Sequence, residues 1–294
     1  MAIGTDTAPE LTAEQVARIL TEPLEHRSAF LAMGPRIYDT AGPLRIPAAP
    51  TGLPLTGPTD DPDDALPFTG ENELIPERDY EFGEVTLLPS TMESIKVLTR
   101  FSNELARQSV VNLETALRDR LVRDVAARVD VALFGDGGDG TTTPRGLFAY
   151  EGTQSIDTAG AEITLDTLLD AQGLALAAAV DERTLRVVLN PTDYMALRKA
   201  KDGGDRYMLE PDARRGSDVP TLLGMPVTVT PRVAAGTAAV LDPSAIAVAR
   251  DLAPSVKVLS ERYADYDQQA VRVVARYDAA PTTPGAVVLI RDES

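Results

Sequence analysis

The sequence predicts an α+β fold in which a small α/β module is inserted between two halves of a larger domain. Three observations carry this. One very long amphipathic helix precedes the module, alternating strands follow it, and a proline-studded stretch without helical periodicity comes before both. At 294 residues the chain is long enough for one large domain or two modest ones.

Residues 1–43 read as an N-terminal arm. Thr12 caps a helix over residues 13–20, with Val16, Ile19 and Leu20 on one side. Glu22-Pro23 ends it, because the residue before a proline avoids the α region. A second short helix spans Leu24–Met33 and stops at Gly34-Pro35.

Residues 44–90 read as a long extended loop. Nine of the 22 prolines lie between Pro43 and Pro89, and Asp60, Asp61, Asp63 and Asp64 form an acidic tip. Tyr80 and Phe82 alternate, Gly83 breaks the phase, and Val85 and Leu87 alternate again, which is a strand with a bulge. Residues 44–55 supply its antiparallel partner. Two strands alone are marginal in water, so the loop rests on another surface, in its own chain or in a neighbour.

Residues 91–155 hold a strand, Ile95 to Phe101, and a helix over residues 109–134. Leu113, Leu117, Leu121, Val125, Val129 and Leu133 recur every four residues, and Val110, Val122, Ala126 and Ala132 widen the stripe. Glu114–Arg118, Asp119–Arg123 and Asp124–Arg128 are acid-to-base pairs in the favoured orientation. At ~1.5 Å per residue the helix is roughly 40 Å long. A strict i+4 stripe winds around a 3.6-residue helix, so it meets more than one packing partner.

That helix ends in Gly135-Asp136-Gly137-Gly138-Asp139-Gly140, followed by Pro144-Arg145-Gly146. Three readings compete. A phosphate loop lacks Gly-Lys-Ser/Thr, and its glycines would precede a helix rather than follow one. A calcium loop through Asp136 and Asp139 lacks the twelve-residue ligand pattern. A plain capping loop needs only glycine's left-handed conformation.

Residues 156–250 alternate helix and strand. The reading places a helix over 165–180, a buried strand at 185–189, a short helix to Lys201, strands at 221–223 and 227–230, and two more at 240–241 and 246–248. Residues 201–218 are polar and glycine-rich, with Arg206, Arg214 and Arg215, and read as a loop. Residues 251–294 return to strands: Val271, Val273, Ala275 and Tyr277 alternate with Arg272, Val274 and Arg276, and 287–290 is the last.

Composition excludes much chemistry. There is no cysteine and no tryptophan, and His26 is the only histidine. Disulfides, thiolate nucleophiles and cysteine zinc sites are therefore impossible, and a Ser-His-Asp triad would need a histidine in the arm. No apolar run approaches the ~18 residues needed to span a bilayer, and no signal peptide is read. No G-x-S-x-G, H-E-x-x-H or Walker A motif is present. Asp60–Asp64 and Asp265/Asp267 are the densest carboxylates and read as solvated surface, so no catalytic, cofactor or metal residue is assigned. The net charge is −17, the wrong sign to grip a phosphate backbone. Only Lys96, Lys199, Lys201 and Lys257 are lysines; the arginine excess suits interface ion pairs and equally suits GC-rich codon usage.

Several segments, in order, resemble the major capsid protein of tailed bacteriophages, whose fold is shared with herpesvirus capsid floors and encapsulins. They are Ser102-Asn103-Glu104-Leu105, then Asp130-Val-Ala-Leu-Phe-Gly135-Asp-Gly, then Pro144-Arg-Gly146-Leu-Phe148, then Val188-Leu-Asn190-Pro-Thr-Asp193-Tyr and Leu223-Gly224-Met-Pro226-Val. The resemblance spans about residues 44–290. It implies an N-terminal arm at 1–43, an extension loop at 44–90, a peripheral domain from 91–155 and 251–294 with the long helix as its spine, and an axial domain at 156–250.

The implied function is structural. Subunits would form hexamers and pentamers of an icosahedral shell enclosing phage double-stranded DNA, with no catalysis, no cofactor and no membrane. The acidic charge suits a lining that repels DNA rather than binding its sequence. Implied partners are other copies, a separate scaffolding protein (43 residues before the loop are short for a fused one), the portal and, where one is used, a decoration protein. The implied location is the virion, after assembly in the bacterial cytoplasm. The acidic tip would dock near Arg118, Arg120, Arg123 and Arg128 of a neighbour. Some shells of this family cross-link through an extension-loop lysine; residues 44–90 have none and Lys96 is too distant, so none is expected here. The alternatives are an encapsulin-like compartment shell and, in another class, a soluble acidic α/β enzyme using carboxylates.

Overall fold

The computed structural model describes residues 22–48, 70–72, 83–104, 113–200, 221–251 and 255–292. The helix expected over 13–20, the acidic tip, the bulge before Gly83 and the arginine-rich loop lie outside the described residues.

The chain opens with α1 (Glu22–Arg27), α2 (Ala29–Ala32), β1 (Arg36–Thr40), β2 (Leu44–Ala48), β3 (Gly83–Leu87) and β4 (Ile95–Ser102). The long helix is α3 (Leu113–Leu133). Then come β5 (Gln154–Asp157), α4 (Leu165–Ala177), β6 (Arg186–Leu189), α5 (Pro191–Lys199), β7 (Thr221–Leu222), β8 (Met225–Val229), β9 (Ala238–Leu241) and β10 (Ile246–Asp251). The chain closes with β11 (Ser255–Tyr263), β12 (Gln268–Ala275), β13 (Tyr277–Pro281) and β14 (Val287–Arg291).

The largest sheet has six strands in the order β5-β14-β9-β6-β8-β7. Its central strands β14, β9 and β6 are apolar apart from Arg291 and Arg186 at their ends, because both faces are covered. Val187, Leu189, Ala238, Val240, Val288 and Ile290 face one core with α4 and α5. Val188, Ala239, Leu241, Val287 and Leu289 face the other, which they share with the long helix. Thr164 opens α4 through a capping box with Thr167, and Asn190 caps α5 ahead of Pro191.

Two three-stranded sheets complete the body, β1-β10-β13 and β11-β12-β4. Leu121, Val122, Val125, Ala126, Val129 and Leu133 of α3 are buried, as the four-residue repeat requires. They meet α1, α2, β4 and β13, so the winding stripe does have several partners. The expected loop strands form: β2 pairs antiparallel with β3, with Leu44 opposite Leu87 and Ile46 opposite Val85.

The structure departs from the sequence reading in four places. The helix expected over Leu24–Met33 breaks at Ser28, which starts a new helix as its N-cap. Residues 36–40 of the arm form a strand, because β10 offers a parallel edge, Arg36 opposite Ala247. The module is not closed by 240–241 and 246–248 together: β10 leaves for the sheet of β1 and β13, and β14 joins β9 instead. The alternating run from Val271 to Tyr277 divides at Arg276, passing from one sheet to another.

Candidate assembly interface

The arm is fastened to the long helix by one buried carboxylate. Asp130 accepts the Ser28 hydroxyl at 2.5 Å and the backbone N–H groups of Ala29 at 3.0 Å and Phe30 at 3.2 Å. Those N–H groups have no partner within their own helix, so Asp130 completes its N-terminus from outside. Burial pushes the Asp130 carboxyl up, opposed by these hydrogen bonds and by the charge of Arg232. Beside it Phe30 meets Phe134 edge to face, centroids 5.1 Å apart. A second tie holds β1: Arg250 grips Asp39 with two bonds of 2.6 and 2.9 Å and draws its carboxyl down.

The loop base is held in a similar way. Asp278, inside β13, is 3% exposed and accepts the N–H groups of Leu88 and Ala279, both at 2.9 Å. Leu88 sits at φ 50, a costly conformation for leucine that this contact and its burial hold in place. Burial pushes Asp278 up to about 6, opposed by these two hydrogen bonds. Among the described residues the buried Tyr150 hydroxyl has no hydrogen-bond partner, and burial and the Asp278 charge push it up as well.

The glycine loop after α3 closes on itself. Asp139 accepts the backbone N–H groups of Thr141, Thr142 and Thr143 at 2.8–3.0 Å, together with their hydroxyls. These donors hold its carboxyl well below the usual range. A Cβ on Gly146 would run into the Gly135 carbonyl, and one on Gly138, at φ +98, into that of Pro144. The loop is thus the capping turn, with Asp139 saturated by its own threonines. Thr91 and Glu93 bond to the carbonyls of Thr141 and Thr142, tying the segment before β4 to it.

The surface residues singled out by sequence are spread along the body. His26 is exposed at the end of α1. Arg120 pairs with Asp124 at 3.1 Å, and Arg123 donates to the Asp119 carbonyl at 3.2 Å. Arg128 is exposed and borders an open groove of about 580 Å³, with Lys96 and Val131 on its walls. The side chains of Glu114, Leu117 and Arg118 lie outside the described residues. Among the described residues no three His, Cys, Asp or Glu side chains gather to hold a metal, and no helix is long and apolar enough to cross a membrane. Sequence reasoning missed Asp278 and treated Asp130 only as part of a motif. The available signal was a lone carboxylate inside an apolar run, Tyr-Asp-Ala-Ala at 277–280.

The comparisons agree with this architecture. The model of the "Phage capsid family" matches residues 11–292. Among solved structures, one titled Microbacterium phage Oxtober96 is 17% identical with a TM-score of 0.66, covering 100% of this chain and 95% of that one. The capsid of a native GTA particle is 16% identical with a TM-score of 0.64, covering 91% of each chain. A virus-like particle from Pyrococcus furiosus is 10% identical with a TM-score of 0.56, covering 95% and 98%. No curated protein matches. The family and fold are those of structural capsid proteins and not of enzymes, and this chain belongs to the phage capsid family as a major capsid protein.

Proposed function

We propose that this chain is the repeating subunit of an icosahedral shell, arranged as hexamers and pentamers around duplex DNA. The observation that carries the proposal is the family match across nearly the whole chain, residues 11–292. The β2–β3 pair supports it, because Ala48 stands opposite Gly83, which sets the two ends of the 34 residues between them side by side. A segment of that length, rich in proline and acid, suits contact with a neighbouring copy.

In this reading 1–43 is the arm and 44–90 the extension loop. Residues 91–155 and 251–294 are peripheral, apart from β14 in the six-stranded sheet, and 156–250 lies at the capsomer axis, apart from β10 in the sheet of β1 and β13. The acidic tip, Asp60 to Asp64, docks near the exposed arginines of a neighbour's α3, with Arg123 and Arg128 the best placed. Each such pair is worth about 0–1 kcal/mol, but a shell repeats it at every interface. The −17 charge keeps the packed genome from sticking. A scaffolding protein, the portal and a decoration protein are the further partners, and assembly takes place in the host cytoplasm.

Size-exclusion chromatography with light scattering tests the proposal. The expected species is a megadalton particle; a 31.4 kDa monomer or its dimer at every concentration and salt would refute it.

A further inference from the structure

The sequence contains three Asp-Gly steps: Asp136-Gly137, Asp139-Gly140 and Asp202-Gly203. The third lies outside the described residues. The first two stand three residues apart in the loop after α3, in opposite surroundings. At such a step the glycine nitrogen can attack the carboxyl carbon of the aspartate before it, because no side chain on the glycine shields the approach. The attack needs an amide that is not already bonded. It also needs a carboxyl that is free to turn and to take up a proton, since its hydroxyl must leave as water.

Neither condition holds at Asp139. Its carboxylate accepts three backbone N–H groups at 2.8–3.0 Å and the hydroxyls of Thr141, Thr142 and Thr143. These donors keep it ionised. The Gly140 N–H is itself engaged, donating to the Thr143 carbonyl at 3.0 Å. Both conditions hold at Asp136. Asp136 and Gly137 are exposed. Among the described residues the Asp136 carboxylate makes no hydrogen bond or ion pair, and the Gly137 N–H has no partner.

We propose that Asp136-Gly137 is a site of spontaneous isoaspartate formation, and that Asp139-Gly140 is protected from it by its threonines. The Gly137 nitrogen bonds to Cγ of Asp136, and the carboxyl hydroxyl leaves with the amide proton as water, closing a five-membered succinimide. Water then opens the ring. Breaking the bond from nitrogen to the original main-chain carbon frees a carboxylate on Cα and leaves the chain running through Cβ and Cγ, one carbon longer. Breaking the new bond restores aspartate. Water is the only co-reactant.

The extra carbon falls where the loop has no slack. The Gly135 carbonyl accepts the Phe148 N–H at 3.1 Å, and the Gly137 carbonyl accepts the Gly146 N–H at 2.9 Å. Asp136 therefore spans two anchored neighbours, and Gly146 lies so close to Gly135 that even a Cβ has no room between them. The lengthened chain gives up one of these bonds and loosens the join between the end of α3 and the buried Leu147 and Phe148. The modification goes beyond the shell reading and does not rest on it.

The test is to warm the purified complete chain at neutral pH and locate isoaspartate residue by residue, by mass spectrometry and by labelling with an isoaspartyl methyltransferase. Giving up even one hydrogen bond to a charged group slows a reaction by about tenfold, so Asp136 is expected to react at least about tenfold faster than Asp139 in the folded protein. In concentrated urea, where the threonines no longer hold Asp139, the two rates should agree within about twofold. Gly137→Ala places a Cβ that meets nothing within 4 Å, so the fold is kept while the nitrogen is shielded, and modification at Asp136 should fall about tenfold. In modified molecules the amide of Gly146 or of Phe148 should exchange its hydrogen at least about tenfold faster. A smaller ratio between Asp136 and Asp139 in the folded protein would overturn the assignment, as would no isoaspartate at Asp136 while the urea control reacts. Unchanged exchange at both amides would show that the loop absorbs the extra carbon.

Discussion

Ser28 and Asp130 share a buried hydrogen bond of 2.5 Å across 102 residues of sequence. Through it the arm is set against the long helix where α2 needs an acceptor and α3 presents one. Removing a partner leaves buried donors unmet, which costs about 1–3 kcal/mol each. Asp130→Ala is expected to lower stability by about 3 kcal/mol, and Ser28→Ala by about 1 kcal/mol. Urea denaturation of the two variants and of the double should show coupling; strict additivity would mean the bond is not made.

Asp278 predicts an unusual pH dependence. Its carboxyl stands at about 6 in the folded chain against 3.8 for the free group. A raised carboxyl favours the protonated folded state, so its contribution is full below about 3.8 and is lost as pH rises through about 6. The shift corresponds to about 3 kcal/mol as an upper figure. Stability measured at pH 4.5 and 7.5 should differ between the parent and Asp278→Asn, with the parent gaining relatively more on acidification. Parallel pH profiles would contradict this.

The glycine loop separates two kinds of glycine. Gly146→Ala drives a Cβ into the Gly135 carbonyl and should prevent soluble folding. Gly173, on the exposed side of α4, has nothing within 4 Å of its Cβ position. Gly173→Ala is expected to raise stability by about 1 kcal/mol, through helix propensity alone. Melting curves decide both, and a Gly146→Ala protein of parental stability would show the close approach to be absent.

Leu121, 4% exposed beneath α3, offers the simplest check of the helix face. Leu121→Asp buries an unpaired carboxylate at a cost of several kcal/mol and should yield insoluble protein. Normal particles from this variant would mean that another face of the helix is buried.

Cross-linking makes a negative prediction. With no lysine in residues 44–90 and Lys96 exposed on β4, no amine sits in the extended loop. Boiled particles should run as one band at 31.4 kDa on denaturing gels, and ladders would show covalent joining.

What could be read from sequence was whatever repeats locally. The i+4 stripe of α3, the capping residues of α4 and α5, and the β2–β3 pair all have their causes within a few turns or one loop. β1 escaped notice because its parallel partner lies about 210 residues away, and nothing in Arg-Ile-Tyr-Asp-Thr announces that edge. β14 reads Val-Val-Leu-Ile, which says that both its faces are buried but not in which sheet. Asp130 looks like any other acid in an acidic chain, and only burial distinguishes it, while Asp278 shows itself in the sequence only as a lone carboxylate inside an apolar run.

Electron cryomicroscopy of the purified assembly tests the central claim most directly. The account predicts closed icosahedral particles in which this chain occupies hexamers and pentamers, with residues 44–90 lying over a neighbouring copy. Open filaments, or a uniform population of isolated monomers or dimers, would contradict it.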